Sequence, residues 1–174
     1  MKKTVENETL FVERQKFRQW WLWLVLLGVN VLFIYGAFQQ IVLGQQFGGK
    51  PMSDSGLLIS AGLTVLVTSL IVNSRLETKI KEDGVYIRFF PFHLKFKFYP
   101  WDSIRKSYLR QYSPLGEYGG WGLRLGLFGK GKAYNVSGNW GLQLEFTNKK
   151  KLLIGTVRPE ELSSTLENMG RLNP

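Results

Sequence analysis

A cysteine-free chain of 174 residues has room for one or two modest domains and excludes disulfides, thiolate chemistry and cysteine-based zinc sites. Lys and Arg total 23 against 13 Asp and Glu, and the resulting +10 favours phosphate-bearing partners, either nucleic acid or anionic lipid. The hydrophobic fraction of 44% is ordinary but very unevenly distributed.

Residues 1–19 read as a polar tail carrying Lys2, Lys3, Arg14, Lys16 and Arg18. Residues 20–43 then run WWLWLVLLGVNVLFIYGAFQQIVL without a charge. As a helix this block is about 35 Å long, enough to cross a hydrocarbon core of roughly 30 Å. Trp20, Trp21 and Trp23 cluster at its start, where indoles anchor in the interfacial layer. The competing reading, a buried helix of a soluble protein, fits poorly because the block has no polar face. It is also longer than a signal-peptide core, and no A-x-A site follows it. Asn30 is the one strongly polar residue deep in the block; it has the chemistry to tie helices together, and the simpler expectation is that it is tolerated there.

Residues 44–55, GQQFGGKPMSDS, carry turn chemistry and form a connecting loop. Residues 56–73 are a second uncharged block, GLLISAGLTVLVTSLIVN. Its hydroxyls have the chemistry to bond back to their own helix or across to the first, and Gly56 and Gly62 suit a close helix approach. This block reads as a second span, with a re-entrant or interfacial segment as the alternative. The two spans form a hairpin with both polar ends on one side. Basic residues flank those ends (the tail, then Arg75, Lys79 and Lys81), whereas the loop has only Lys50 opposed by Asp54. The positive-inside bias therefore places the tail and the C-terminal region in the cytoplasm.

From residue 75 onward lie 17 of the 23 basic residues and 9 of the 13 acidic ones, a charge of +8. The pattern becomes one of period two. Val85, Ile87 and Phe89 alternate with Tyr86 and Arg88; Leu94, Phe96 and Phe98 with Lys95 and Lys97; Leu123, Leu125 and Leu127 with Arg124 and Gly126; Leu142, Leu144 and Phe146 with Gln143 and Glu145. Each predicts a half-buried strand. Turn signals separate them at residues 82–84, 90–92, 137–139 and 148–150. The last segment changes period: Pro159, Glu160 and Glu161 suit a helix start, Leu162, Leu166 and Met169 share one face, and Gly170 suits its end. About seven strands followed by one helix are expected, most economically as a partly open barrel of antiparallel strands closed at one end by that helix.

Three segments resemble a known family: EDGVYIRFFPF, YPWDSIRKSY and YNVSGNWGLQLEFTNKKKLLIGTVRPEELSSTL. In order and content they resemble a bacterial pleckstrin-homology (PH) domain over residues 76–170, and the preceding hairpin is a common arrangement in such membrane proteins. The step Trp101-Asp102-Ser103-Ile104 resembles that family's strand-to-strand corner. The resemblance implies a PH-like fold on the cytoplasmic face of a bacterial inner membrane. It does not carry over phosphoinositide binding, because the first hairpin turn is acidic (Glu82-Asp83-Gly84) and Tyr86 stands two before Arg88 where a basic residue is wanted.

Residues 126–132, GLFGKGK, fit the first part of a phosphate-binding loop, but Ala133 replaces the magnesium-holding Ser or Thr and a strand pattern follows where a helix is needed. The glycines read instead as a hairpin turn. His93 is the only histidine and sits at a turn, Asp102 reads as a turn cap, and no carboxylate pair or metal-ligand set is visible. The chain is expected to be no enzyme and to need no cofactor. The candidate anion- or partner-binding residues are Lys95, Lys97, Arg105, Lys106, Arg110, Lys130 and Lys132, while Lys149, Lys150 and Lys151 read as a solvated hairpin tip. Three functions follow. The first is a membrane-anchored module that binds a protein partner or itself; the second is a sensor of anionic lipid headgroups; the third, disfavoured by the anchor, is a nucleic-acid binder.

Overall fold

The structure, a computed structural model, describes residues 8–126 and 129–173. Lys2, Lys3 and Leu127 lie outside the described residues. The chain divides into two units: Arg18–Asn73, and a second that ends at Phe17 and resumes at Ser74.

The first unit is a helical hairpin. Helix α1 (Trp20–Ala37) runs into a π-helical turn at Phe38–Val42, and α2 (Asp54–Asn73) returns. Proline is absent from both helices, and Asp54 lies in the first turn of α2, where the helix dipole favours a carboxylate. The apolar helical stretches, 23 and 20 residues, are long and apolar enough to cross a membrane, and only 11% of each one's apolar window is buried. Asn30 is not merely tolerated: its Nδ2 donates to Thr68 Oγ1 across the pair and to Leu26 O, both at 2.7 Å. Gly62 meets nothing that would bar a side chain, and Gly56 meets only its own turn; the tight glycine is Gly36, where a Cβ would lie 2.6 Å from Phe47.

The second unit is mainly β. One sheet joins β1 (Thr9–Lys16), β2 (Arg75–Lys81), β3 (Gly84–Phe90) and β4 (Lys97–Pro100) in that order, all antiparallel. The other contains β5 (Ile104–Gln111), β6 (Gly122–Leu125), β7 (Lys132–Asn135), β8 (Trp140–Phe146) and β9 (Lys151–Thr156), in the order β5-β8-β9-β7-β6. Helix α3 (Pro114–Tyr118) follows β5, and α4 (Pro159–Asn168) follows β9. The α4 prediction holds, with Leu162 and Leu166 buried and Gly170 at positive φ just beyond the helix.

Several expectations need correction: β7 and β9 pair in parallel although antiparallel strands are expected, and Leu125 of β6 is exposed although its alternation predicts a half-buried strand. The sheets are not closed into a barrel: at a 3-10 turn, Trp101–Ser103, the chain leaves the first sheet, and Ile104 pairs with Phe146 rather than with a neighbour of β4. Trp101 fixes this corner from inside the core, its indole N–H donating to Lys81 O at 3.0 Å. The alternation from Leu94 to Phe98 does not mark a half-buried strand; β4 begins only at Lys97, and Leu94 is 74% exposed. Finally, the residues read as an N-terminal tail supply β1. Its Lys16 lies opposite Arg75, on the far side of the helical hairpin in sequence.

Strand β1 is hard to read because its inward face is Phe11, Glu13 and Gln15, while Val12 points out. The two polar side chains have partners at the end of β9. Glu13 is 4% exposed and accepts from Thr156 Oγ1 at 2.7 Å and from the Val157 N–H at 2.8 Å, and Gln15 Nε2 donates to Gly155 O at 2.7 Å. Between the sheets lies one core, built from Phe11, Leu76, Ile80, Ile87 and Phe89 on one side and Leu142, Leu144, Leu152 and Ile154 on the other, with Leu162 and Leu166 of α4. A smaller cluster, Tyr112, Tyr118, Ala133 and Leu153, lies where α3 meets the second sheet.

This architecture predicts that residues 75–174 alone lack an integral strand. Lys16 and Arg75 are register partners on neighbouring strands, about 5 Å apart, so a short glycine-serine link replacing residues 18–73 should give a folded β-domain. Residues 75–174 without β1 should melt at lower temperature or aggregate, as read by circular dichroism. In the linked chain Glu13→Ala should cost about 2 kcal/mol in denaturant unfolding, because the buried Thr156 hydroxyl loses its acceptor along with the Val157 N–H.

Candidate functional site

At one end of the β-domain a cleft of about 820 Å³ opens between β4 and the start of β7 and β9. Phe98, Tyr99, Leu125, Phe146 and Leu152 supply apolar surface, and the Tyr99 and Phe146 rings stack with centroids 5.3 Å apart. Burial, then the adjacent Tyr134, push the Tyr99 phenol up to about 12. Lys132, Lys149, Lys150 and Lys151 line the same cleft, and no Asp or Glu does. Lys151 pairs with Glu145 at 3.0 Å, whereas among the described residues Lys132, Lys149 and Lys150 form no salt bridge.

Local backbone chemistry builds this rim. Asn148 Oδ1 accepts from the Lys150 N–H at 3.1 Å and the Lys149 N–H bonds Phe146 O at 3.0 Å, which holds Lys149 at a φ of 65°, unusual for a residue with a Cβ. Gly131 is required on the opposite wall: its φ is +83°, and a Cβ would lie 2.3 Å from Lys151 O. Gly126 and Gly131 thus serve the connection between β6 and β7, where the Gly126 N–H bonds Gly131 O at 2.6 Å. Lys132 then opens a strand, as expected, and not the helix that a phosphate-binding loop requires.

The residues singled out from sequence are spread over several surfaces. Lys132 lines the cleft. Lys130 lies beside it but pairs with Glu117 at 3.6 Å. Lys95 is exposed in the loop before β4, and Lys97 opens β4 with its Nζ 3.3 Å from Tyr134 Oη. Arg105, Lys106 and Arg110 belong to β5, in the other sheet. There Arg105 binds Glu145 at 2.9 Å, Lys106 stands opposite Glu145 in register, and Arg110 forks onto both Glu117 oxygens at 3.1 and 2.9 Å. Trp20, Trp21 and Trp23 open α1, with Trp20 72% exposed. His93, read as a surface turn residue, is half-buried with its ring 5.5 Å from Tyr134; burial first, then Lys97 and Lys132, lower its pKa and keep it neutral.

Sequence reasoning missed the Lys149–Lys150 rim as a site, although the run of three lysines was its signal. It also missed Glu77. This carboxylate lies in register between Arg14 of β1 and Arg88 of β3, bonds both, and is reached by Arg75 Nε at 3.0 Å. Phe96 carries Arg88 and Lys79 over its ring at 4.5 and 4.8 Å, and Phe90 carries Arg75 at 4.5 Å. Among the described residues no cluster of His, Asp and Glu is arranged to hold a metal ion.

No known family model matches this chain, and no curated protein is a detectable relative.

Glu117 is the group whose titration is best placed to report on this end of the molecule. The Arg110 hydrogen bonds, aided by the Ser113 N–H and by Lys130, hold its carboxyl below the ordinary range. As pH falls, the unfolded chain takes up this proton first, so the contribution is complete above the ordinary carboxylate range and is lost as pH falls through the folded value. Glu117→Gln should lower stability at neutral pH by about 1 kcal/mol and flatten the acid limb of the melting-temperature profile.

Proposed function

We propose that this chain is a non-catalytic, membrane-anchored module whose PH-like domain binds a protein partner on the cytoplasmic face of the membrane. The observation that carries the reading is the cleft: an apolar floor under lysines without a carboxylate among its lining residues. Such a surface complements a segment that combines apolar side chains with Asp or Glu. Two of the four strand edges are poor docking sites, whereas the outer edges of β1 and β5 are eight residues long. Edges β4 and β6 have four residues each, and β4 ends in Pro100, which offers no N–H.

Two observations support the anchored topology. Few of the apolar residues of the helices are buried, and many are exposed. In addition, β1 and β2 pair although the helical hairpin separates them in sequence, so both ends of the hairpin lie on one side of any bilayer it enters; two crossings satisfy this and one does not. The excess of Lys and Arg at those ends favours the cytoplasmic side. The PH-like assignment draws support from the order of elements: a four-stranded sheet, a tryptophan corner, a second sheet and a C-terminal helix.

The test is purification of the intact protein from the source membranes in mild detergent, with lipids and proteins identified by mass spectrometry. Lys149→Asn keeps a residue that tolerates positive φ and removes one rim charge; paired with Lys150→Gln it should weaken partner recovery roughly tenfold without lowering thermal stability. Lys95→Gln should leave recovery unchanged. Equal recovery from the rim variant and the unaltered protein would refute the cleft as the binding site. Enriched anionic lipid without a protein partner would shift the function to lipid sensing.

A further inference from the structure

The end of the first sheet at which the chain passes into and out of the helices carries a preformed apolar loop. Lys16 of β1, Arg75 of β2 and Phe90 of β3 stand side by side in register at that end. Three residues separate Lys16 from Trp20, where α1 begins, and one residue separates Asn73, the end of α2, from Arg75. The loop of residues 91–96 continues directly from Phe90. Its turn is closed by the His93 N–H on Phe89 O at 2.8 Å, and the Phe92 ring rests 6.0 Å from that of the core residue Phe89. Phe92 and Leu94 nonetheless remain 59% and 74% exposed. A fixed loop that holds two large apolar side chains in solvent is unfavourable unless something covers them.

Charge identifies the cover. Lys16 and Lys95 are exposed at this end and, among the described residues, form no salt bridge; the one nearby carboxylate, Glu77, is already held by Arg14, Arg75 and Arg88. Apolar tips flanked by free lysines match the boundary between acyl chains and anionic headgroups. We propose that the 91–96 loop dips into the bilayer that α1 and α2 span, with Phe92 and Leu94 at the acyl boundary and Lys16 and Lys95 on lipid phosphates. This third attachment point limits how the β-domain swings on its tethers and leaves the lysine-rimmed cleft, which involves the Pro100 end of β4, in the aqueous phase. The inference rests on the spanning reading of the helices.

The absence of native cysteine permits a direct test in the full chain. Single variants Leu94→Cys, Leu125→Cys and Leu63→Cys, all at exposed positions, are labelled with an environment-sensitive fluorophore and reconstituted into mixed phosphatidylcholine–phosphatidylglycerol vesicles containing a quencher-bearing lipid. Quenching is expected at 63 and 94 and not at 125. Adding Lys16→Gln and Lys95→Gln to Leu94→Cys should reduce its quenching about twofold or more. Quenching at 63 with none at 94 would overturn the loop inference and leave the spanning reading intact. No quenching at 63 would overturn both. Undiminished quenching at 94 in the lysine variant would overturn the role given to the phosphates.

Discussion

A buried carboxylate joins the two sheets. Glu13 extends from an edge strand of the first sheet and receives hydrogen bonds from Thr156 and Val157, where β9 of the second sheet ends, and Gln15 beside it reaches Gly155. A carboxyl group so deeply placed is tolerated because both of its oxygens are hydrogen-bonded. These bonds require β1 to stand in one register, since a shift of one residue would turn Glu13 and Gln15 outward and Val12 inward. That register in turn sets where Phe11 enters the core and which residues end the sheet beside the helical hairpin.

The positive charge of the β-domain is distributed by a simple rule. Three carboxylates each gather several cations: Glu77 takes Arg14, Arg75 and Arg88; Glu117 takes Arg110 and Lys130; Glu145 takes Arg105 and Lys151. Arginines dominate these pairings, as their fork geometry suits shared carboxylates. Outside these three clusters most of the basic residues are lysines, and several of them stand at the cleft rim and beside the apolar loop, where a mobile, strongly hydrated ammonium can meet a ligand or headgroup.

The sequence made the hairpin, the turns and α4 legible because each follows from a short-range rule: uninterrupted apolarity, turn chemistry, and a proline–glutamate start with a glycine end. Strand β1 was not legible, since its buried positions are Glu13 and Gln15 and its partner β2 lies beyond the helices. The Leu94–Phe98 alternation misled for the opposite reason: an apolar periodicity records what is kept from water and does not say whether protein or something else covers it. Lys95, Lys97, Arg105, Lys106 and Arg110 read as lying on adjacent strands, whereas Trp101 turns the chain between β4 and β5 and puts those two strands in different sheets. The cleft required β4, β7 and β9 to converge, and no local pattern specifies that.

The insertion of the helices between β1 and β2 also orders the assembly of the molecule. During synthesis β1 emerges first and has no strand to pair with until the whole hairpin has been made, so its edge waits exposed while the apolar segments are handled. Closing this long gap carries a modest entropic penalty once the hairpin is compact, because the ends of two adjacent antiparallel helices already lie near each other. On the spanning reading proposed above, a chain whose second helix failed to enter the bilayer would leave β1 and β2 on opposite sides, and the first sheet would stay incomplete. On that reading, completion of the β-domain would act as a checkpoint on membrane insertion, with a mis-inserted chain exposing an unpaired strand and an open core to proteolysis.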